Sequence, residues 1–422
     1  MSRPDERLAY FGGKPHRPAK VRPTFTADAL TRQRVEHLVT DSMLAEWYGG
    51  QETSTFEAEF AAYHGVPVAV AVNSGTSALH AALVAAGVSD GDEVVAPTVC
   101  YFSAISAILQ ERAIPVLYDS EPRSILPSAQ RILDLVTEHT RAVMVVHLYG
   151  VPMDVADLRA QLSSRGIALI EDCSQAHGAV VNGHLVGTMG DFGCYSLASP
   201  RHHISVGEGG VVMARDPAAE RILRQLVNRG KNNDWGGPVR QGFSYALPEF
   251  SAIAGRQGLA DLGRELDARK AAATIFDEVL HDSGLVLFDA VEPFGDRDRP
   301  GFYRKLVRLP PAFAPLRDWF VAAIEKENVS AKPPHPLAHQ IPWIVQRTAQ
   351  VAERAGRPAA GQPACPNAEA EHAVLLDLET GPGVGVDDAR LAAEAVKKVW
   401  EFIVANPEPA KGAAEEYGAY RP

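Results

Sequence analysis

Between Val68 and Glu171 the chain alternates short, wholly apolar stretches with longer amphipathic ones, and this alternation restricts its possible folds more than any other feature. Strands are predicted over Val68–Val72, Glu93–Ala96, Pro115–Tyr118, Ala142–Val146 and Ile167–Glu171, with helices over Thr76–Ala86, Tyr101–Arg112 and Val155–Arg165. A strand that is apolar on both faces needs cover on both. Helices that return the chain to a parallel neighbour supply that cover. The expected fold is α/β with a mostly parallel sheet, and its ligands belong at the carboxyl ends of the strands.

A chain of 422 residues exceeds what one hydrophobic core usually serves, roughly 250 to 300 residues, so two domains are expected. Residues 1–45, with Pro4, Pro15, Pro18, Pro23, Gly12 and Gly13, read as an irregular arm lying across a neighbouring element or subunit. A helix over Glu57–His64, with Phe56, Phe60 and Ala61 on one side, opens a large domain over 46–262. A charged helix over Asp261–Leu280, with Leu262, Leu266, Ala271, Ala272 and Phe276 as apolar positions, bridges to a small α+β C-terminal domain over 263–405. There, strands are predicted at Tyr303–Leu309 and Ala373–Leu376, helices at Pro315–Lys326 and Asp387–Val404, and a loop at Pro293–Pro300. Residues 406–422 read as a polar tail.

Charge and cysteine usage exclude several functions. With 41 basic and 52 acidic residues the net charge is -11, and no Lys/Arg block offers a footprint for nucleic acid or an anionic membrane. Cys100, Cys173, Cys194 and Cys365 lack C-x-x-C spacing, so neither zinc nor a cysteine-ligated iron–sulfur cluster is indicated. They read as reduced, mostly buried cytosolic thiols. The first residues lack the apolar core of a signal peptide, and no run of about 18 apolar residues could span a bilayer. A cytoplasmic protein with a small, soluble ligand is expected.

Chemistry-bearing residues cluster at the predicted strand ends. Asn73-Ser-Gly-Thr-Ser lies between the first strand and a helix whose Leu79, Ala82, Leu83 and Ala86 face the sheet. Free N–H groups, a positive helix end, Gly75 and the hydroxyls of Thr76 and Ser77 suit a phosphate; the same residues also suit an ordinary N-cap. Asp172, just past another strand, could pair with a protonated ring nitrogen, with Gln175 reaching a neighbouring oxygen, or could cap the following turn. Tyr101 is placed to stack on a flat ring, or to join the core. His335 and His339 stand at i, i+4, but the prolines around them deny a helix, so a substrate-side loop is expected and no metal site.

Taken in order, Asn73-Ser-Gly-Thr-Ser-Ala-Leu, Gly91-Asp-Glu-Val-Val-Ala-Pro-Thr, Glu171-Asp-Cys-Ser-Gln-Ala-His-Gly-Ala, Gly190-Asp-Phe-Gly-Cys-Tyr-Ser and Gly207-Glu-Gly-Gly resemble the DegT/DnrJ/StrS sugar aminotransferases. The likeness runs from about Trp47 to about Leu259, and Leu8-Ala-Tyr-Phe-Gly-Gly-Lys-Pro is similar to members that aminate cyclitols or make aminohydroxybenzoate. It implies a fold-type I pyridoxal-phosphate transferase with a seven-stranded, mostly parallel sheet, acting on keto-sugars or keto-cyclitols in sugar or antibiotic biosynthesis as a homodimer with shared sites. It further implies that Gly75, Thr76 and Ser196, with neighbouring Ser77, hold the phosphate. Tyr101 would stack on the ring, Asp172 pair with the pyridine nitrogen and Gln175 contact the ring hydroxyl. Ser244 stands where the family places an Asn that reaches the partner's phosphate, and Ala246 where it places an Arg.

The departure from the family lies in Ser196–Gly210, where its Schiff-base lysine belongs. No lysine occurs between Val21 and Gly230. Aligned backward from Gly207-Glu-Gly-Gly, His202 takes the lysine's place; aligned forward from Cys194-Tyr-Ser, Arg201 does. An imidazole titrates near neutrality and can carry a proton, which an arginine cannot, so His202 is preferred. Pro200-Arg-His-His-Ile-Ser-Val-Gly-Glu-Gly-Gly also resembles the sugar 3-dehydratases of the family, in which a histidine replaces the lysine and pyridoxamine phosphate is held without a covalent bond. His202 is then the base that takes a proton from the cofactor's C4' methylene, with Arg201 and His203 beside it.

The first expectation is therefore dehydration or deoxygenation of a keto-sugar or keto-cyclitol, of the kind that needs no iron–sulfur cluster, with a reductase or amine-donor partner. The alternatives are an aminotransferase whose lysine comes from elsewhere, with Lys231 the nearest, and a non-catalytic partner subunit that binds the cofactor or a sugar.

Overall fold

The computed structural model of the protein describes residues 7–20, 26–40, 49–198, 202–232, 237–288, 298–357, 364–381 and 383–419. In chain order the first strands are β1 (Val68–Val72), β2 (Glu93–Pro97), β3 (Ile114–Tyr118), β4 (Thr140–Val146), β5 (Ala168–Asp172), β6 (Val180–Val181), β7 (His184–Leu185), β8 (Phe192–Ser196) and β9 (Gly210–Ala214). β6 and β7 form a separate hairpin, and the others make one seven-stranded sheet in the order β1-β9-β8-β5-β4-β2-β3. Pairing is parallel from β8 to β3, whereas β9 runs antiparallel to both β1 and β8. The expected mostly parallel sheet of seven strands is thus present.

Both faces of this sheet are covered, as its all-apolar strands require. One face packs under helices α3 (Gly75–Ala85) and α4 (Ser103–Gln110), where Val70, Leu79, Leu83, Ile105 and Met144 are buried together. The other carries α6 (Ala156–Ser163), with Val143, Val145, Leu158 and Leu162 in contact. Each of these helices begins just past the carboxyl end of a strand. Their N-termini and the preceding turns therefore gather along one edge of the sheet.

Helix α8 (Glu249–Leu280) starts twelve residues before the predicted Asp261. Its first turns contain Gly255, where a Cβ would come within 2.9 Å of the Phe56 ring, so the glycine that weakens the helical signal is there to admit an aromatic ring from α2 (Gln51–His64). The N-terminal half of α8 gives Ala252, Leu262 and Leu266 to a core shared with the large sheet. Its C-terminal half gives Ala272, Phe276 and Leu280 to a second core.

That second core lies between helices and a four-stranded antiparallel sheet in the order β10-β11-β13-β12, made of β10 (Val286–Phe288), β11 (Arg304–Arg308), β12 (Ala331–Lys332) and β13 (Leu375–Glu379). Trp319 and Phe320 of α9 (Arg317–Lys326) pack there with Val396, Val399 and Trp400 of α12 (Val386–Ala405). Leu8 of the N-terminal arm is buried in the same core, and Glu327 accepts hydrogen bonds from the backbone N–H groups of Ala9 and His16.

Two segments differ from the sequence expectation. The arm includes a helix, α1 (Ala29–Thr40). The expected polar tail forms α13 (Pro407–Ala419), which buries Ala410 and Ala413 in the second core. Alanines mark a packed face too weakly for hydrophobic periodicity to register it. The loop predicted at 293–300 lies largely outside the described residues. Among the described residues no helix is long and apolar enough to cross a membrane.

Candidate active site

Along the edge where the parallel strands end, the chain encloses a cavity of about 390 Å³. Ser74, Gly75 and Thr76 line it from the β1–α3 turn, Tyr101 and Ser103 from the turn after β2, and Asp172, Ser174 and Gln175 from the end of β5. Ser196 ends β8 at its wall, His202 and Glu208 come from the loop leading to β9, and Tyr303, Lys332 and His335 close it from the second unit.

At one end sits the start of α3. Ser74 is its N-cap, its hydroxyl accepting the Ser77 N–H at 3.0 Å. Gly75 lies against Ser196 so closely that a Cβ there would fall 2.6 Å from the serine's Cβ. This contact holds the Thr76 and Ser196 hydroxyls beside the positive helix end, a cradle suited to a phosphate. Ser77 does not belong to it: the side chain is buried and donates to Asn73 Oδ1 at 2.7 Å, completing the cap.

Asp172 ends β5, almost fully buried. One oxygen accepts the Ser174 N–H at 3.0 Å, and burial pushes the carboxyl above its ordinary pKa because no described cation forms an ion pair with it. A buried, unpaired carboxyl aimed into a cavity calls for a positively charged partner from the ligand. Its neighbour Glu171 points to the other face of the strand and is fully committed. It accepts N–H groups of Gly187 and Met189 at 2.9 Å and of Gly190 at 2.5 Å, and stands 3.0 Å from His147 Nε2. That network, which includes the close trio His147, Glu171 and Cys173, fixes the end of β5 and hence the carboxyl of Asp172.

Gln175 is tied to Tyr149, whose N–H donates to its Oε1 at 2.7 Å, and its Nε2 lies 3.4 Å from His335 Nε2. The Tyr101 ring is about half exposed and meets His335 edge-on at 5.4 Å, so a face remains open for a flat ligand.

His202 stands 2.6 Å by its Nδ1 from the carbonyl of Ser174. A carbonyl only accepts, so Nδ1 carries the proton and Nε2 keeps its lone pair. Burial lowers the pKa to about 4, which holds the imidazole neutral over the physiological range.

Other expected site residues lie elsewhere. His203 is outside the cavity, buried, donating from Nε2 to the carbonyl of Gly301 at 2.5 Å; the chain bends at His202 and His203, and the second ring turns inward. Ser244 is also outside, accepting from Arg229 Nη2 at 3.1 Å beside Asn73. Arg201 lies outside the described residues. Lys231, the nearest lysine by sequence, does not line the cavity; its backbone bridges to Pro238. His339 is buried between Thr98 and Glu369, and only His335 of that pair reaches the cavity.

Two lining residues, Tyr303 and Lys332, carry no signal in the sequence, nor does Tyr149, which stacks on the lining His335. Tyr149 adopts φ 57°, and its ring lies parallel to that of His335 at 5.9 Å. Tyr303 sits 5.3 Å from His202, one residue ahead of β11. Lys332, on a two-residue strand, is the one primary amine among the described residues that line the cavity.

Comparison with known proteins accords with this geometry. The profile of the DegT/DnrJ/EryC1/StrS aminotransferase family matches residues 29–397. The UDP-N-acetyl-3-dehydro-alpha-D-glucosamine 3-aminotransferase of Acidithiobacillus ferrooxidans is 33% identical over 292 residues, 69% of this chain and 76% of that protein. The L-glutamine:2-deoxy-scyllo-inosose aminotransferase of Streptomyces fradiae is 36% identical over 241 residues, 54% of this chain and 57% of its own. Among solved structures, 3-amino-5-hydroxybenzoic acid synthase superposes with a TM-score of 0.78 at 25% identity, covering 92% of this chain and 99% of that one. By these matches and by its fold, the chain belongs to the DegT/DnrJ/EryC1/StrS aminotransferase family, whose cofactor is pyridoxal phosphate.

Proposed function

We propose that the protein transfers an amino group to a keto-sugar or keto-cyclitol, with His202 in place of the usual loop lysine as the proton carrier. One observation carries the reading: a neutral imidazole with a free Nε2 lone pair lines the same cavity as a phosphate cradle and a buried, unpaired carboxyl.

These residues fit pyridoxal or pyridoxamine phosphate. Thr76, Ser196 and the N-terminus of α3 would hold the phosphate, Asp172 the protonated pyridine nitrogen, and Tyr101 a face of the ring. When bound, the cofactor supplies an electron sink that makes the proton on the carbon bearing the nitrogen labile. His202 Nε2 would carry a proton between the two carbons that flank that nitrogen, its ring held in one tautomer by Ser174. Asp172, as a carboxylate, would keep the ring nitrogen protonated. Tyr303 and His335 wall the cavity, with Tyr149 stacked on His335. The aminotransferases named above, which act on a keto-sugar and on a keto-cyclitol, support this substrate class.

Dehydration of the same substrates is the second reading, favoured by the imidazole where the family has lysine. In it His202 removes the same proton and the neighbouring hydroxyl leaves. The chain would work as a homodimer, with Ser244 near the second site. One experiment separates the two chemistries. Purified protein is given cofactor, glutamine or glutamate, and nucleotide-linked or free keto-sugars and keto-cyclitols, and products are read by mass spectrometry. Amino transfer replaces the carbonyl oxygen by an amine, and dehydration shows as loss of water. Turnover in His202→Ala equal to the parent would refute the assignment of the proton carrier.

A further inference from the structure

We propose that Lys332 is the lysine of this site: its amine forms the carbon–nitrogen double bond with the cofactor aldehyde that the family's loop lysine would otherwise form. The inference rests on the reading of the cavity as a pyridoxal-phosphate site and divides between two residues what one lysine does elsewhere in the family.

Strand geometry directs Lys332 into the cavity. β12 is two residues long and pairs with β13, Ala331 opposite Leu378 and Lys332 opposite Asp377. Successive side chains of a strand point to opposite faces. Ala331 is buried in the second core, and Lys332 therefore projects from the other side, where it lines the cavity with Asp172, His202 and Tyr101.

The segment that follows is stiff. Pro333 and Pro334 fix their own φ and restrict the residue before each of them, so the path from Lys332 to His335 has little freedom. His335 is itself held, stacked on Tyr149 at 5.9 Å, with its N–H 3.4 Å from the Tyr149 hydroxyl. Lys332 leaves its short strand beside this anchored segment on a four-carbon stem and lines the same cavity as Tyr101 and His202. The chain has no lysine between Lys20 and Lys231, and Lys231 does not line the cavity, so no other described lysine is placed for this bond.

The step is a condensation. The Nζ lone pair attacks the aldehyde carbon, a carbon–nitrogen double bond forms, and the carbonyl oxygen leaves as water with the two amine protons. Nothing is oxidised or reduced. An amino donor then displaces Lys332 by the same exchange, while His202 moves the carbon-bound proton. Lys332 enters from the second unit and His202 from the loop before β9, so the two functions come from different elements.

The test uses the whole chain loaded with pyridoxal phosphate, reduced with borohydride, digested and mapped by mass spectrometry. The expected result is a phosphopyridoxyl group on the peptide that carries Lys332, and an absorbance band of the bound cofactor that disappears in Lys332→Arg. Cofactor that binds, by equilibrium dialysis, without labelling any lysine overturns the inference; so does a label on Lys231 or another lysine. Because the parent protein carries the labelling, a variant that fails to fold does not weaken the result. The functional reading is scored separately, by single-turnover amination with pyridoxamine phosphate in the parent protein: amination without a Lys332 label leaves that reading standing and removes this one.

Discussion

Replacing Gly75 with alanine adds one methyl group where there is no room for it. The new Cβ would stand 2.6 Å from Ser196 Cβ, 3.1 Å from its Cα and 3.2 Å from its Oγ. Carbon atoms in contact prefer roughly 3.5 to 4.0 Å, so the deficit is about 1 Å. Ser196 cannot step aside, because it ends β8 paired with Gly210, and a Cβ at Gly210 would itself lie 2.5 Å from the Ser74 carbonyl oxygen. The strain must be relieved by moving the start of α3 away from β8, which opens the two sides of the cradle. Overpacking of this kind costs about 1–3 kcal/mol, against a helix-propensity gain of at most about 1 kcal/mol. Where the displacement falls on the cradle, cofactor affinity drops about 5- to 150-fold. Gly263→Ala is the control: it lies inside α8 with nothing within 4 Å of its added methyl, so it should stabilise by about 0.5–1 kcal/mol and leave the cofactor alone. Fluorescence titration with pyridoxal phosphate, together with thermal melting of both variants, measures each effect. Gly75→Ala that binds with parental affinity refutes the assignment of the phosphate to this turn.

Other expectations follow from the same site. Asp172→Asn removes the one buried carboxylate aimed at a cationic ring nitrogen, a charge-assisted bond worth about 1.5–3 kcal/mol, so dialysis should show cofactor held at least tenfold more weakly. Because burial lowers His202 to about 4, the acid limb of kcat/KM assigned to it should lie near that value, and a limb near 6.5 that disappears in His202→Asn would contradict the environment described. His64 is also lowered to about 4, and His177 and His203 well below their ordinary value, all by burial. Their native forms exclude a proton that the unfolded chain binds, so stability should fall as pH drops from about 6.5 toward 4. Each adds to that fall, opposed by the raised carboxyls of Asp172 and Glu57, and denaturant titrations at a series of pH values will show the slope.

How much of this was legible in the sequence depends on the range of the signal. The parallel strands announce themselves because a strand buried on both faces has no choice but to be apolar, and the turns that follow them carry Gly75, Thr76 and Asp172 at fixed distances from that pattern. Strands β8 and β9 were less visible: Phe-Gly-Cys-Tyr-Ser is too short, and too broken by glycine, to stand out from a loop. Helix α13 hid for a related reason, since a face of alanines has almost the same hydropathy as a solvated one. Ser77 shows how a cap and a phosphate site draw on the same hydroxyls, its hydrogen bond to Asn73 being the mark of the cap.

The residues to which the proposed chemistry is assigned were the least legible of all. His202 was found by its position in a motif, but its tautomer depends on the carbonyl of Ser174, 28 residues earlier in the chain. Tyr303 and Lys332 come from a second unit in which the sequence marks only the loop around His335 as facing a ligand, and tertiary packing places them opposite the strand ends. Reading along the chain, a missing lysine in a loop looks like a missing function. In three dimensions the carbon–nitrogen bond and the proton transfer need only share a cavity, and they can be supplied from both sides of it. An amine from the other wall would restore the covalent hold that the loop no longer gives, and β12 is the described element that brings one to the cavity.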